Sequence, residues 1–140
     1  MENSSSLKLG ALWCCRLLLG GVFSCAAVLK IMDPSAFVSD IGHYHLLSYP
    51  AAVVMAVYLP WLELLCGAAV LFHWRYRGAL LVLVALCAVF ALALASAWFR
   101  GLNIDCGCFG QALASSLPVA LLRSFILGSL GIILLRERTY

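Results

Sequence analysis

Long apolar runs separated by short polar turns set the pattern of this chain. Four of them, at residues 9–31, 50–72, 79–99 and 117–135, are long enough to cross a bilayer as helices, which takes about 20 residues. Most polar residues fall in the connections, and no long linker, low-complexity tract or clear internal repeat interrupts the order. The pattern predicts an all-α integral membrane four-helix bundle, one domain over residues 1–140. Asp33-Pro34 closes the first run, because the residue before a proline avoids the helical region. Residues 35–47 then read as a short interfacial helix or ordered loop lying over the bundle.

Composition agrees with the pattern and excludes a soluble domain. Hydrophobic residues make up 65% of the 140 residues and charged residues 11%, where a soluble domain carries about 25% charge. The mean hydropathy is +1.06. The first run is expected to stay as a membrane helix rather than be cleaved. Only Lys8 precedes it, Arg16 interrupts it, and Val22-Phe23-Ser24-Cys25 matches a lipoprotein cleavage box poorly. Lys8, Arg75, Arg77, Arg136 and Arg138 flank one side of the spans, against Lys30 and Arg100 on the other. By the positive-inside rule both termini are expected in the cytoplasm of a bacterial inner membrane, with the loops after spans one and three facing outward. The lipid bilayer is the expected environment, and no nucleic-acid partner is expected.

The third loop holds the most distinctive chemistry, Asp105-Cys106-Gly107-Cys108-Phe109-Gly110. Two thiols one residue apart reach the roughly 4.4–6.8 Å Cα separation of a disulfide only if the backbone bends. Gly107 supplies that bend. Such a small ring closes almost no loop, so it stabilises little by the chain-entropy argument. A strained, exposed disulfide is suited to exchange. On an outward face it would persist as a redox couple. The same thiols also suit a metal site, with His43 and His45 of the other outward loop completing a zinc- or copper-like set if the loops meet. A static clip or bystander thiols are the plainer alternatives. Of the seven cysteines, Cys14, Cys15, Cys66 and Cys87 read as inert packing inside spans. Cys25 lies in the outer third of the first span, within conceivable reach of the outer loop.

Charges inside the spans are the second signal. Arg16, Glu63 and Arg123 are too costly there unless paired or turned to the bundle interior. From the helical rise of about 1.5 Å per residue, Arg16 and Glu63 sit at similar depths and are expected to form an ion pair. Arg123 is expected beneath the cysteine loop, where its charge would favour a thiolate and Asp105 would oppose it. Lys30 is expected to pair locally with Asp33. Pro60 precedes Trp61 and Glu63, and a kink there would border a small pocket for a quinone or lipid. Trp61, Phe90, Trp98 and Phe109 are its candidate walls; packing or interfacial anchoring is the blander role for each.

These residues together resemble the MauE family of methylamine utilisation proteins, within the wider DoxX-like group of four-helix membrane proteins. The resemblance rests on Arg16, on Lys30 with Asp33-Pro34, and on Leu59-Pro60-Trp61-Leu62-Glu63. Asp105-Cys106-Gly107-Cys108-Phe109-Gly110 and Arg123 complete it, so it covers nearly the whole chain. Ser124 departs from it, standing where an amide or acid is expected. The resemblance implies thiol–disulfide traffic rather than methylamine metabolism itself, in a membrane redox protein with Cys106 and Cys108 as reactive residues. It implies a periplasmic thioredoxin-like partner or client thiol protein, and quinone coupling as in DoxX-like relatives. A non-enzymatic assembly factor, or a metal-binding protein using Cys106, Cys108, His43 and His45, is the alternative.

Overall fold

The computed structural model describes residues 2–103 and 116–137. Every regular element among the described residues is an α-helix: α1 Glu2–Met32, α2 Pro34–His43, α3 Tyr49–Leu71, α4 Tyr76–Phe99 and α5 Leu117–Arg136. Four of these, α1, α3, α4 and α5, are long and apolar enough to span a membrane. The expected all-α four-span fold is therefore the one observed. The helix starts and ends differ from the apolar runs by a few residues, most at the first. There α1 extends back to Glu2 through Asn3, Ser4, Ser5, Ser6 and Lys8, polar residues that hydropathy does not see but a helix accepts.

Each spanning helix buries one narrow stripe. In α1 it is Arg16, Leu19, Gly20, Phe23, Ala26, Ala27 and Lys30. In α3 it is Ala52, Ala56, Pro60, Glu63, Cys66, Gly67 and Val70. The spacings of three and four residues are those of a single helix face. The opposite faces are apolar too, with Leu65, Leu92, Leu122 and Phe125 exposed. That differs from a soluble helix: the charged residues Arg16, Lys30 and Glu63 turn inward beside buried leucines such as Leu19, Leu80 and Leu83, while other leucines face outward.

Helices α1 and α3 cross closely because glycine faces glycine. A Cβ on Gly67 would stand 2.7 Å from Ser24 Oγ and 3.1 Å from the Gly20 carbonyl oxygen. A Cβ on Gly20 would stand 2.7 Å from the Leu71 side chain. Small residues at such a seam let two backbones approach. The seam also fixes the antiparallel register, with Lys30 opposite Glu63, Gly20 opposite Gly67 and Leu71, and Arg16 opposite His73.

Asp33 does end α1, and it also starts α2. Its Oδ1 accepts from the Ala36 backbone N–H at 3.0 Å and from Ser35 Oγ at 2.7 Å, with Pro34 at the first helical position. These are the marks of an N-cap. The expected local Lys30–Asp33 pair does not form, because both oxygens of Glu63 hold Lys30. Helix α2 packs against α3 rather than simply lying over the bundle end. Its buried Phe37 places its ring 4.9 Å from Lys30 Nζ. Just past its far end, the Tyr44 carbonyl accepts from Arg100 Nη2 beyond α4. The two backbone and side-chain donors hold the Asp33 carboxyl below its ordinary value. The cap is therefore in place above the usual carboxylate range and is lost as pH falls through the lowered value. We expect Asp33→Ala to speed amide exchange at Ala36 and Phe37 at neutral pH. The parent chain should approach that behaviour only in acid, and equal exchange in both chains would refute the cap.

Candidate functional site

Three of the charges within the bundle, Lys30, Glu63 and Arg123, line one small chamber. Lys30 Nζ donates to Glu63 Oε2 at 2.8 Å and Oε1 at 3.0 Å. The two residues are 3% and 1% exposed. Glu63 is eight residues from the α3 end at Leu71, or about 12 Å along the axis. Buried charges of this kind survive only when paired and further satisfied. Phe37 and Phe90 complete the shell around Lys30, the Phe90 ring lying 5.1 Å from Nζ. Arg123 and Ser124 of α5 and Cys87 of α4 line the same cavity, so all four spanning helices contribute.

The cavity measures about 40 Å³. That is room for water, whereas a benzene-sized ring needs about 150 Å³. Among the described residues its charged lining is Lys30, Glu63 and Arg123. Arg123 also borders a second, larger space. A lipid-facing groove of about 700 Å³ runs between α1 and α5, lined by Leu18, Gly21, Val22, Cys25, Val119, Leu122, Arg123, Ile126 and Leu127. Half-buried Arg123 thus stands between the ionic chamber and the groove.

The expected Arg16–Glu63 pair is corrected by this geometry. Arg16 Nη1 lies 2.7 Å from His73 Nδ1, and the guanidinium sits 3.8 Å above the Trp13 ring. The register explains the error. Arg16 is level with the turn after α3, ten residues beyond Glu63, because α1 runs well past that turn. Depth counted from the start of the apolar run takes no account of this overhang. Lys30, at the outer end of the first run, reads as a flanking charge, yet it is the true partner of Glu63. One signal for this was present in the sequence: Lys30 lies on the face of Gly20, Phe23 and Ala27 at helical spacing.

The remaining expectations divide. Pro60 lies inside α3 and is buried; having no N–H, it leaves the Ala56 carbonyl without its usual helical donor. Phe90 lines the chamber, but Trp61 and Trp98 are 54% and 56% exposed and do not. Cys66 and Cys87 are buried and Cys15 is half-buried, while Cys14 and Cys25 are exposed; all five are free thiols. His43 and His45 are exposed near the end of α2. Among the described residues no three His, Cys, Asp or Glu side chains gather as a metal site. Asp105, Cys106, Gly107, Cys108 and Phe109 lie outside the described residues, so the cysteine pair and any metal set built on it do too. The segment carrying them runs from the end of α4, where Arg100 meets α2, to the start of α5, which leads to Arg123.

A family model described as methylamine utilisation protein MauE matches residues 8–136. The chain belongs to the MauE family. The match takes in the Lys30–Glu63 pair, Arg123 and the Cys-Gly-Cys segment. Two curated MauE proteins are similar to it. The methylamine utilization protein MauE of Paracoccus denitrificans is 31% identical over 123 residues, covering 86% of this chain and 66% of the relative. That of Methylophilus methylotrophus is 36% identical over 101 residues, covering 71% of this chain and 53% of the relative. This MauE family member therefore spans a little over half to about two thirds of the length of those relatives. No solved structure matches it. Its four spans and its family make it a multi-pass bacterial membrane protein.

Proposed function

We propose that this MauE family member is a membrane thiol–disulfide redox protein serving methylamine utilisation, the process its relatives are named for. In this reading Cys106 and Cys108 form the reactive pair. A thiolate of a thioredoxin-like partner, or of a client protein, attacks one sulfur of the Cys106–Cys108 disulfide and forms a mixed disulfide. The partner's second thiolate then attacks the partner's own sulfur in that bond. The partner leaves oxidised, and Cys106 and Cys108 are left as a dithiol with the two electrons. Reoxidation passes those electrons, with two protons, to a quinone, which becomes the quinol. The same exchange run backwards would deliver reductant outward.

The observation that carries the reading is the Cys-Gly-Cys spacing, in a segment joined directly to the helix that brings Arg123 to the ionic chamber. The 40 Å³ chamber is too small for a quinone ring, so the 700 Å³ groove between α1 and α5 is the space that suits one. Orientation belongs to the same proposal. With Lys30 withdrawn into its ion pair, Arg100 is left as the flanking cation at the end of the cysteine segment. Lys8, Arg75, Arg77 and Arg136 gather at the other, which favours cytoplasmic termini by the positive-inside rule. A single bundle domain related to DoxX-like proteins completes the reading.

Labelling thiols from outside intact cells tests it. Cys106 and Cys108 are expected to react with an impermeant reagent only after reduction. Cys106→Ser or Cys108→Ser should abolish partner oxidation. One of the two variants should trap a mixed disulfide. A partner whose redox state is unchanged in both variants would overturn the proposal.

A further inference from the structure

The far end of the bundle carries a second polar contact that thiol chemistry does not use. Arg16 is 8% exposed and has no carboxylate partner among the described residues. Its guanidinium is held by His73 Nδ1 at 2.7 Å and by the Trp13 face, and its Nε is buried without a hydrogen-bond partner. An arginine is always protonated and can only donate. His73 Nδ1 must therefore accept, which requires a neutral imidazole with its proton on Nε2.

We propose that the Arg16–His73 contact is a proton-sensitive latch between α1 and the α3–α4 turn. The turn needs such a tie. It reverses the chain within a few residues, with His73 at φ 58° and Arg75 at φ 45° in the left-handed region, which non-glycine residues enter at a cost. Tyr76 stacks on His73, with ring centroids 4.6 Å apart and planes 6° from parallel. This platform fixes the imidazole edge that meets Arg16.

His73 is exposed, so protons reach it from water. A proton arriving at Nδ1 removes the acceptor and sets an imidazolium against a guanidinium. Among the described residues no carboxylate pairs with either side chain. Ionisable neighbours are Cys15 beside Arg16 on α1, Arg75 in the turn, and Tyr76 and Arg77 on α4. Helix α5 contributes Arg136, followed by Glu137, and both are exposed. The latch is therefore closed at higher pH, with His73 neutral, and opens as pH falls. It is independent of the redox proposal, since it involves neither cysteine of the reactive pair.

Histidine-selective nitrogen NMR and amide exchange, both on the full chain in zwitterionic nanodiscs, test the latch. At about pH 7.5 His73 is expected to show an unprotonated Nδ1, with exposed His43 and His45 as internal references. Between about pH 7.5 and pH 5, the Trp74 amide, which donates to the Ala69 carbonyl at 2.9 Å, should exchange about tenfold faster after correction for intrinsic rate. His73→Gln keeps an uncharged acceptor at every pH and should abolish that change. A protonated Nδ1 at the higher pH, no change in the parent chain, or the same change in His73→Gln would each overturn the proposal. If His73→Gln fails to fold, the parent chain's tautomer and exchange decide.

Discussion

Glu63→Leu alone is expected to destabilise the bundle by about 3–5 kcal/mol, the usual effect of removing one partner from a buried ion pair. The variant leaves Lys30, at 3% exposure, with no carboxylate and only the Phe37 and Phe90 rings around its ammonium. Lys30→Met alone leaves an uncompensated carboxylate in the same space and should cost a similar amount. The double variant Lys30→Met/Glu63→Leu removes both charges and should regain most of the loss, since apolar residues of similar volume often replace such pairs at little cost. A double-mutant cycle by unfolding in detergent or nanodiscs measures the coupling. Strictly additive single effects would show that the pair contributes little. The same variants probe the chamber's chemistry. If the ion pair serves the redox cycle as well as the fold, the double variant should be stable yet slow in partner oxidation.

Gly67→Val is expected to cost about as much as an overpacked core site, roughly 1–3 kcal/mol, and to part α1 from α3. Its first new atom would already stand 2.7 Å from Ser24 Oγ, and the Gly20 carbonyl behind it at 3.1 Å is backbone that cannot rotate away. The separation should reach the ion pair, because Lys30 and Glu63 face each other across that seam. Gly10→Val supplies the control, having nothing within 4 Å of its new Cβ. It should cost no more than the small change in helix propensity. Cysteine crosslinking between α1 and α3 would report the separation directly. An equal effect of Gly67→Val and Gly10→Val would mean that the seam is not close-packed.

The sequence made the spans easy to find and their faces hard to find. In water a buried stripe announces itself against a polar background. Here both sides of each helix are apolar, and what marks the interior is small or charged residues such as Gly20, Gly67, Lys30 and Glu63. The candidate site was half legible for the same reason. Lys30, Glu63 and Arg123 stood out as charges in or beside apolar runs, but which charge met which depended on register. Register is set by the Gly20–Gly67 contact and by the overhang of α1, and neither leaves a trace in hydropathy. Arg16 shows the consequence: depth along the apolar run sets it level with Glu63, whereas the overhang of α1 carries it to His73 in the turn after α3.

Hydropathy and length alone determined that this chain is a multi-pass, all-α membrane protein, because only a satisfied helical backbone of sufficient length is tolerated in lipid. Spacing alone marked Cys106 and Cys108 as two thiols one glycine apart, the pair on which the proposed exchange rests. Tertiary structure decided the ion pairing, the division of interior space into a water-sized chamber and a lipid-facing groove, and the tie between Arg16 and His73. Those are contacts between residues 33 and 57 positions apart. Contacts of that range depend on where two helices cross, which the pattern along either helix does not specify.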